Sequence, residues 1–275
     1  MTPAQLSRTV LRTVRRAAGD GALGELPADA LDTLGAPDGP AARITVGPPP
    51  HPGRGDYATN AALRLAAVTG RPAHRVAEVL RERLAREEGI AQVTVAGPGF
   101  LNITVADRAR AALVAALAAT DGDVPVAAST DPARDLRGWA AATGVRPPAE
   151  QREGNPLFLV QYAHARTRAL LRNARDLGFG PEPGADGYAY DGPRERELLG
   201  LLAEYERIAA TGPARLARHL TAVADAFLDV HGRVLPAGER KPGAAHRARL
   251  ALAQAAGAVL AGGLSRLGVT APAHL

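Results

Sequence analysis

Asn155-Pro156-Leu157-Phe158-Leu159-Val160-Gln161-Tyr162-Ala163-His164-Ala165-Arg166, continued by Thr167-Arg168-Ala169-Leu170-Leu171-Arg172-Asn173-Ala174-Arg175-Asp176-Leu177, is the stretch whose reading decides the fold. It opens a helix and carries it for several turns. Val160, Ala163, Leu170, Leu171, Ala174 and Leu177 recur at three- and four-residue steps and predict one apolar face. His164, Arg168, Arg172 and Arg175 follow one another at steps of four, four and three, which stacks them into a single stripe. A buried seam backed by cations suits a helix that supports a core and faces an anion. Taken alone, such a stripe is more often a solvated basic face.

Working outward, everything after Asn155 reads as helix. Leu198, Leu201, Leu202 and Tyr205 mark one segment. Leu216, Leu220, Val223, Phe227 and Val230 give the cleanest seam, at steps of four, three, four and three. Leu252, Ala256, Val259, Leu260, Gly263, Leu264 and Leu267 mark the last. Loops rich in Gly and Pro at 179–193 and 235–243 join them, so residues 155–275 predict an all-α helical bundle.

On the N-terminal side the pattern breaks. Pro125, Pro132, Gly138, Gly144, Pro147, Pro148 and Gly154 punctuate short apolar runs. Residues 108–154 are therefore expected to form a helix and a linker, with a small helix at 136–142 anchored by Trp139. Residues 1–107 differ again. Leu6, Val10, Leu11 and Val14 mark a first helix, and 42–46 alternates as a short strand. The loop 53–60 opens onto a helix over 61–68 that Gly70 can close, and Pro72 can start the next. Residues 92–95 and 100–105 read as strand, turn, strand across Gly97-Pro98-Gly99. Together they predict an α+β domain with helices packed on a small antiparallel sheet.

Composition sets the chemistry. The chain has 275 residues, a net charge of +5 and no cysteine, which removes disulfides and thiolate sites. A pI of about 10.2 favours a polyanionic partner. Residues 1–107 hold 12 basic and 11 acidic groups, 108–154 six of each, and 155–275 hold 15 and 11. The excess lies on the bundle. No phosphate-binding glycine loop, nucleophile elbow or zinc-protease motif occurs. The seven histidines are scattered singly, and carboxylates alternate with arginines as in Arg81-Glu82-Arg83 and Arg194-Glu195-Arg196-Glu197. Neither metal nor cofactor is expected. No signal-peptide pattern opens the chain and no uncharged run reaches eighteen apolar residues, so a cytoplasmic location off the membrane is expected.

Two blocks resemble arginyl-tRNA synthetases. Gly55-Asp56-Tyr57-Ala58-Thr59-Asn60, the paired helices after it, and Val95-Ala96-Gly97-Pro98-Gly99-Phe100-Leu101-Asn102-Ile103 are similar to that family's N-terminal domain. Three runs are similar to its DALR-type anticodon-binding domain. The first is Asn155-Pro156 with Val160-Gln161-Tyr162-Ala163-His164-Ala165-Arg166, and the second is Leu216-Ala217-Arg218-His219-Leu220. The third is Gly263-Leu264-Ser265-Arg266-Leu267-Gly268-Val269-Thr270-Ala271-Pro272. In the family an ATP- and arginine-binding Rossmann-type domain separates the two blocks. Here about fifty residues separate Val105 from Asn155, against the roughly 100 that a doubly wound nucleotide domain needs. The family's His-x-Gly-His motif is also missing, since His51-Pro52-Gly53-Arg54 lacks the second histidine, and Lys241 is the only lysine.

The resemblance implies a non-catalytic paralogue that binds tRNA, with tRNA for arginine the first candidate. His164, Arg166, Arg168, Arg172, Arg175, Arg215, Arg218 and His231 would serve the bundle's contact, and Tyr57, Asn60, Phe100 and Asn102 that of the N-terminal domain. Val230-His231-Gly232 stands where the family carries an aromatic pair, and Thr221 where it often carries Tyr. Stacking is worth about 1–3 kcal/mol per base, so backbone contact through arginines is the part expected to survive. Two other functions fit the same residues. One is a protein–protein module docking on a synthetase or biosynthetic enzyme, with vestigial tRNA affinity. The other is the family's arginine–tRNA ligase activity completed in trans.

Overall fold

The computed structural model describes residues 1–24, 44–51, 53–125, 127, 130–152, 154–238 and 241–275. It divides into two compact units, Met1–Ala109 and Arg110–Leu275.

The first unit is built as its alternation predicts. Helix α1 (Pro3–Gly19) starts at Thr2, whose hydroxyl accepts from the Gln5 amide while the Gln5 side chain accepts from the Thr2 amide. This reciprocal cap satisfies two otherwise orphaned donors. Leu6, Val10, Val14 and Ala17 form its buried face. Helices α2 (Ala61–Thr69) and α3 (Ala73–Leu84) follow, α2 closing on Gly70 in the left-handed region. Strands β1 (Val46–Gly47), β2 (Tyr57–Thr59), β3 (Ile90–Ala96) and β4 (Phe100–Val105) form an antiparallel sheet in the order β1-β2-β4-β3. Of the strand expected over 42–46, residues 42 and 43 lie outside the described residues, and the ladder begins at Val46. Leu101, Ile103 and Val105 alternate inward against Leu6, Leu65, Leu80 and Leu84.

The Gly-Asp pair before β2 joins loop to sheet. Gly55 has φ +95°, and a Cβ there would stand 2.9 Å from the Ile103 carbonyl oxygen. Both facts demand glycine. The next amide, Asp56, donates to that same carbonyl at 2.8 Å, and the Asp56 carboxylate accepts from the Val105 amide at 2.7 Å.

The second unit is helical. It contains α4 (Asp107–Ala118) from Arg110 onward, α5 (Pro132–Thr143), α6 (Pro156–Asp176), α7 (Pro193–Ala209), α8 (Pro213–Val230) and α9 (Ala244–Arg266). Asn155 caps α6: its side-chain oxygen accepts from the amides of Leu157 and Phe158, and its side-chain nitrogen donates to the carbonyls of Pro148 and Glu150. One residue thus starts the helix and fastens the loop before it, with Pro156 preset for the first turn. Leu216, Leu220, Val223, Phe227 and Val230 are all buried on α8. At about 1.5–3 kcal/mol per buried side chain they supply on the order of 10 kcal/mol before conformational entropy is charged against it. Helix α9 is the core helix, buried on nearly every side. It is long and apolar enough to cross a membrane, and 78% of its apolar window is packed inside the bundle.

Between 110 and 152, several described residues pack into the second unit. Leu113, Val114 and Trp139 belong to the bundle core. Asp135 on α5 is 1% exposed and accepts from the Gln161 side chain (2.7 Å), the Thr270 amide (2.8 Å) and the Thr270 hydroxyl. The amide of Ala127 donates to the Ala271 carbonyl at 2.9 Å, and the Ala273 amide donates to the Ala127 carbonyl at 2.8 Å. At Gly138 a Cβ would come 3.0 Å from the Gly268 carbonyl oxygen, so the backbones meet directly. A buried polar knot replaces the apolar periodicity that sequence reading depends on. The expected α6 seam is also trimmed at one end, since Leu177 is exposed beyond the last turn.

Candidate nucleic-acid interface

The stripe read from 155–177 is real as a line along α6, but its members occupy three environments. His164 is 0% exposed. Its Nδ1 lies 2.8 Å from the Pro272 carbonyl, which can only accept, so the neutral ring carries its proton there. Nε2 is buried without a partner, and burial pushes the pKa down to about 4. Close packing explains the burial. A Cβ at Gly257 of α9 would stand 2.5 Å from Thr167 Oγ1 one turn further along α6, and the Pro272 carbonyl lies against the ring itself. His164, expected to face RNA, accordingly lies in the core.

Arg168, Arg172 and Arg175 line a cleft of about 550 Å³ together with Asp121, Leu171, Phe179, Gly180, Pro181, Gln254 and Ala273. Arg168 is half-buried and its Nη1 donates to both carboxylate oxygens of Asp121, at 2.8 and 2.9 Å. Arg172 donates to the Ala273 carbonyl at 3.3 Å and lies 3.3 Å from His274 Nδ1. Arg175 is exposed, and its guanidinium has no hydrogen-bond or ion-pair partner among the described residues. Three guanidiniums against one carboxylate give the cleft a net charge of +2. Leu171, Phe179 and Pro181 add an apolar wall, so the cleft joins the few charged groups and apolar lining typical of ligand sites.

Arg215 and Arg218 are exposed in the first two turns of α8, also without partners among the described residues. Gly212 offers no side chain to cap that helix, which leaves its first amides and positive dipole end beside the two arginines. Arg166 is half-buried, with Nε buried and unpartnered. His231 sits in a short 3-10 turn with Nδ1 against the Leu228 carbonyl and its ring 6.2 Å from that of Phe227. That imidazole is tied back toward its own helix and is half-buried.

The N-terminal set divides as well. Tyr57 is buried, its hydroxyl donating to the Met1 carbonyl at 3.1 Å. Asn102 is buried in β4 between β2 and β3. Asn60 accepts from the Thr45 amide at 2.8 Å, which fixes the approach to β1. Phe100, at 42% exposure, is the one of the four that presents a large side chain to solvent. Tyr57 and Asn102 are thus buried within the framework of the sheet.

Sequence reading passed over two features. Phe158 and Tyr162 stack on α6 with ring centroids 5.7 Å apart, and Tyr162 is exposed. Their four-residue spacing, continued by Arg166, was the available signal. Asp121, Phe179 and Gln254 complete the cleft from three other segments, and no local spacing could have joined them.

Two family models match the chain. The arginyl tRNA synthetase N terminal domain covers residues 23–105, and the DALR anticodon binding domain covers residues 160–275. An arginine–tRNA ligase of Frankia alni is 42% identical over 133 residues, which are 46% of this chain and 24% of that protein. The chain thus spans about a quarter of the length of this curated relative.

Proposed function

We propose, from the premise that this chain is arginyl-tRNA synthetase-like and lacks the catalytic domain between its two matched blocks, that it is a non-catalytic paralogue that binds tRNA through the helical bundle. The observation that carries the proposal is the +2 cleft on α6, in which Arg175 faces solvent with no protein partner among the described residues. Arg172 and Arg175 hold phosphates there. Arg215 and Arg218 extend the contact along the backbone. An unstacked base lies against Phe179 or Tyr162, and Phe100 of the N-terminal unit supplies a second contact. tRNA for arginine is the first candidate ligand.

Filter binding with purified tRNA tests this. The expected dissociation constant is tighter than about 10 μM in 100 mM salt, and tighter than for unrelated duplex DNA. Replacing Arg175, Arg215 and Arg218 together by Gln should weaken binding at least tenfold and flatten the salt dependence by about one unit for each lost phosphate contact. Equal binding of tRNA and duplex DNA, or an unchanged salt slope in the triple variant, would sink it.

The Phe158–Tyr162 pair, with Tyr162 exposed and Phe158 half-buried, supports a second function, docking on a protein partner, because aromatic side chains are enriched at such interfaces. Tyr162→Ser separates the two. Lost tRNA affinity assigns the pair to base stacking, and intact affinity assigns it to a protein surface.

A further inference from the structure

We infer that Asp121 is a built-in anion of the arginine cleft: its carboxylate occupies Arg168 where a ligand phosphate would otherwise sit, and so sets how strongly the cleft holds the phosphates of an RNA. The inference rests on the tRNA-binding proposal above. Arg168 Nη1 from α6 reaches both Asp121 oxygens at 2.8 and 2.9 Å, and Gln254 Nε2 from α9 donates to one of them at 3.1 Å. Donors from two helices converging on one pair of oxygens make an oxyanion site. Here the anion is the chain's own. The side chains of Arg168 and Asp121 are 29% and 13% exposed, so water screens the pair less than it screens a surface pair.

The source of the carboxylate is informative. Asp121 lies in the turn after α4, within the stretch between residues 105 and 160 that neither family model covers. The anion is therefore supplied by the segment that stands between the two matched blocks, while the donors Arg168 and Gln254 belong to the matched bundle. With Asp121 ionised the cleft carries +2, and without that charge it carries +3. Arg172 has only a neutral carbonyl and an imidazole nitrogen beside it. A lone anion meets a cleft already partly neutralised. A strand with successive phosphates can take Arg172 and Arg175 together and then compete for Arg168. Asp121 is thus a specificity-determining residue that favours polyanions over single anions.

Asp121→Asn in the full chain keeps the shape and an accepting oxygen but removes the charge. tRNA affinity is measured across a salt series, and pyrophosphate binding is followed separately by titration calorimetry. The variant should bind tRNA about five- to tenfold tighter, with a salt slope steeper by about one unit, and should gain in pyrophosphate affinity. Adding Arg168→Gln should remove that gain. Unchanged or weaker binding of both ligands by Asp121→Asn overturns the inference, as does a gain that survives the addition of Arg168→Gln. If Asp121→Asn melts early, Asp121→Ser carries the same test, because it also removes the charge and keeps a polar side chain, and the same gain is expected of it. The two proposals fail separately. Enhanced pyrophosphate binding with no tRNA binding by any protein keeps the role of Asp121 and removes tRNA as ligand. tRNA binding with no gain in Asp121→Asn does the reverse.

Discussion

The N-terminal sheet and the helical bundle both carry residues that a motif singles out, and the two regions place them in opposite surroundings. Around β2 and β4, Gly55, Asp56, Tyr57 and Asn102 are taken up in closing the sheet, and Phe100 alone among the four marked contacts presents a large exposed side chain. On α6 and α8 the marked arginines run the other way. Arg175, Arg215 and Arg218 are exposed and Arg172 is partly so, whereas Arg168 is tied to Asp121, Arg166 is half-buried and His164 sinks into the core. A motif quoted as one string mixes residues that build the frame with residues that face a ligand. In a sheet the frame takes most of them, because each strand residue answers to ladders and to packing on both faces. A helix leaves one side free.

The contrast can be broken by experiment, and the largest effect is expected in the sheet. Tyr57→Ala should cost about 3 kcal/mol or more of stability in denaturant unfolding, as aromatic truncations in cores do. A variant of native stability that has lost RNA binding would return Tyr57 to the contact surface.

The buried histidine on α6 offers the next effect. An unfolded histidine titrates near 6.5, and burial holds that of His164 at about 4. Between these values the unfolded chain binds a proton that the folded chain does not, so stability rises with pH. The contribution is complete above about pH 6.5 and is lost as the pH falls toward 4, up to about 3 kcal/mol in all. Unfolding midpoints at pH 7 and pH 4.5 should differ less in His164→Asn than in the wild type. Parallel losses in both would mean that the ring is not the titrating group.

The smallest effect sharpens the contrast from the exposed side. Phe100→Ala should change stability by under about 0.5 kcal/mol, as surface substitutions do. If the ring stacks on a base, it should still weaken tRNA binding about five- to fiftyfold. A large stability loss with no change in binding would place Phe100 with Tyr57.

Sequence patterns foretold the parts of this molecule that are periodic. The α8 seam from Leu216 to Val230 is buried as its spacing requires, and Asn155-Pro156 starts α6 as a capping pair should. The strand–turn–strand at Gly97-Pro98-Gly99 lies where the alternation put it. What stayed hidden depends on partners distant in sequence. Asp135 looks like a surface residue of a Pro/Gly-rich segment until Gln161 and Thr270 supply its hydrogen bonds. Arg168 reads as a free cation until Asp121 is found 47 residues earlier. His164 shares the helical phase of the arginines, and its burial involves the chain at Pro272, 108 residues later.

The knot at Thr270 bears on how the protein assembles. Its bonds to Gln161 and Asp135 span 109 and 135 residues, and the Arg172–Ala273 contact that shapes the cleft spans 101. Closing such long loops is slow compared with forming any one helix, because the entropy of the intervening chain must be surrendered first. Helical content should therefore return early during refolding and the arginine cleft late.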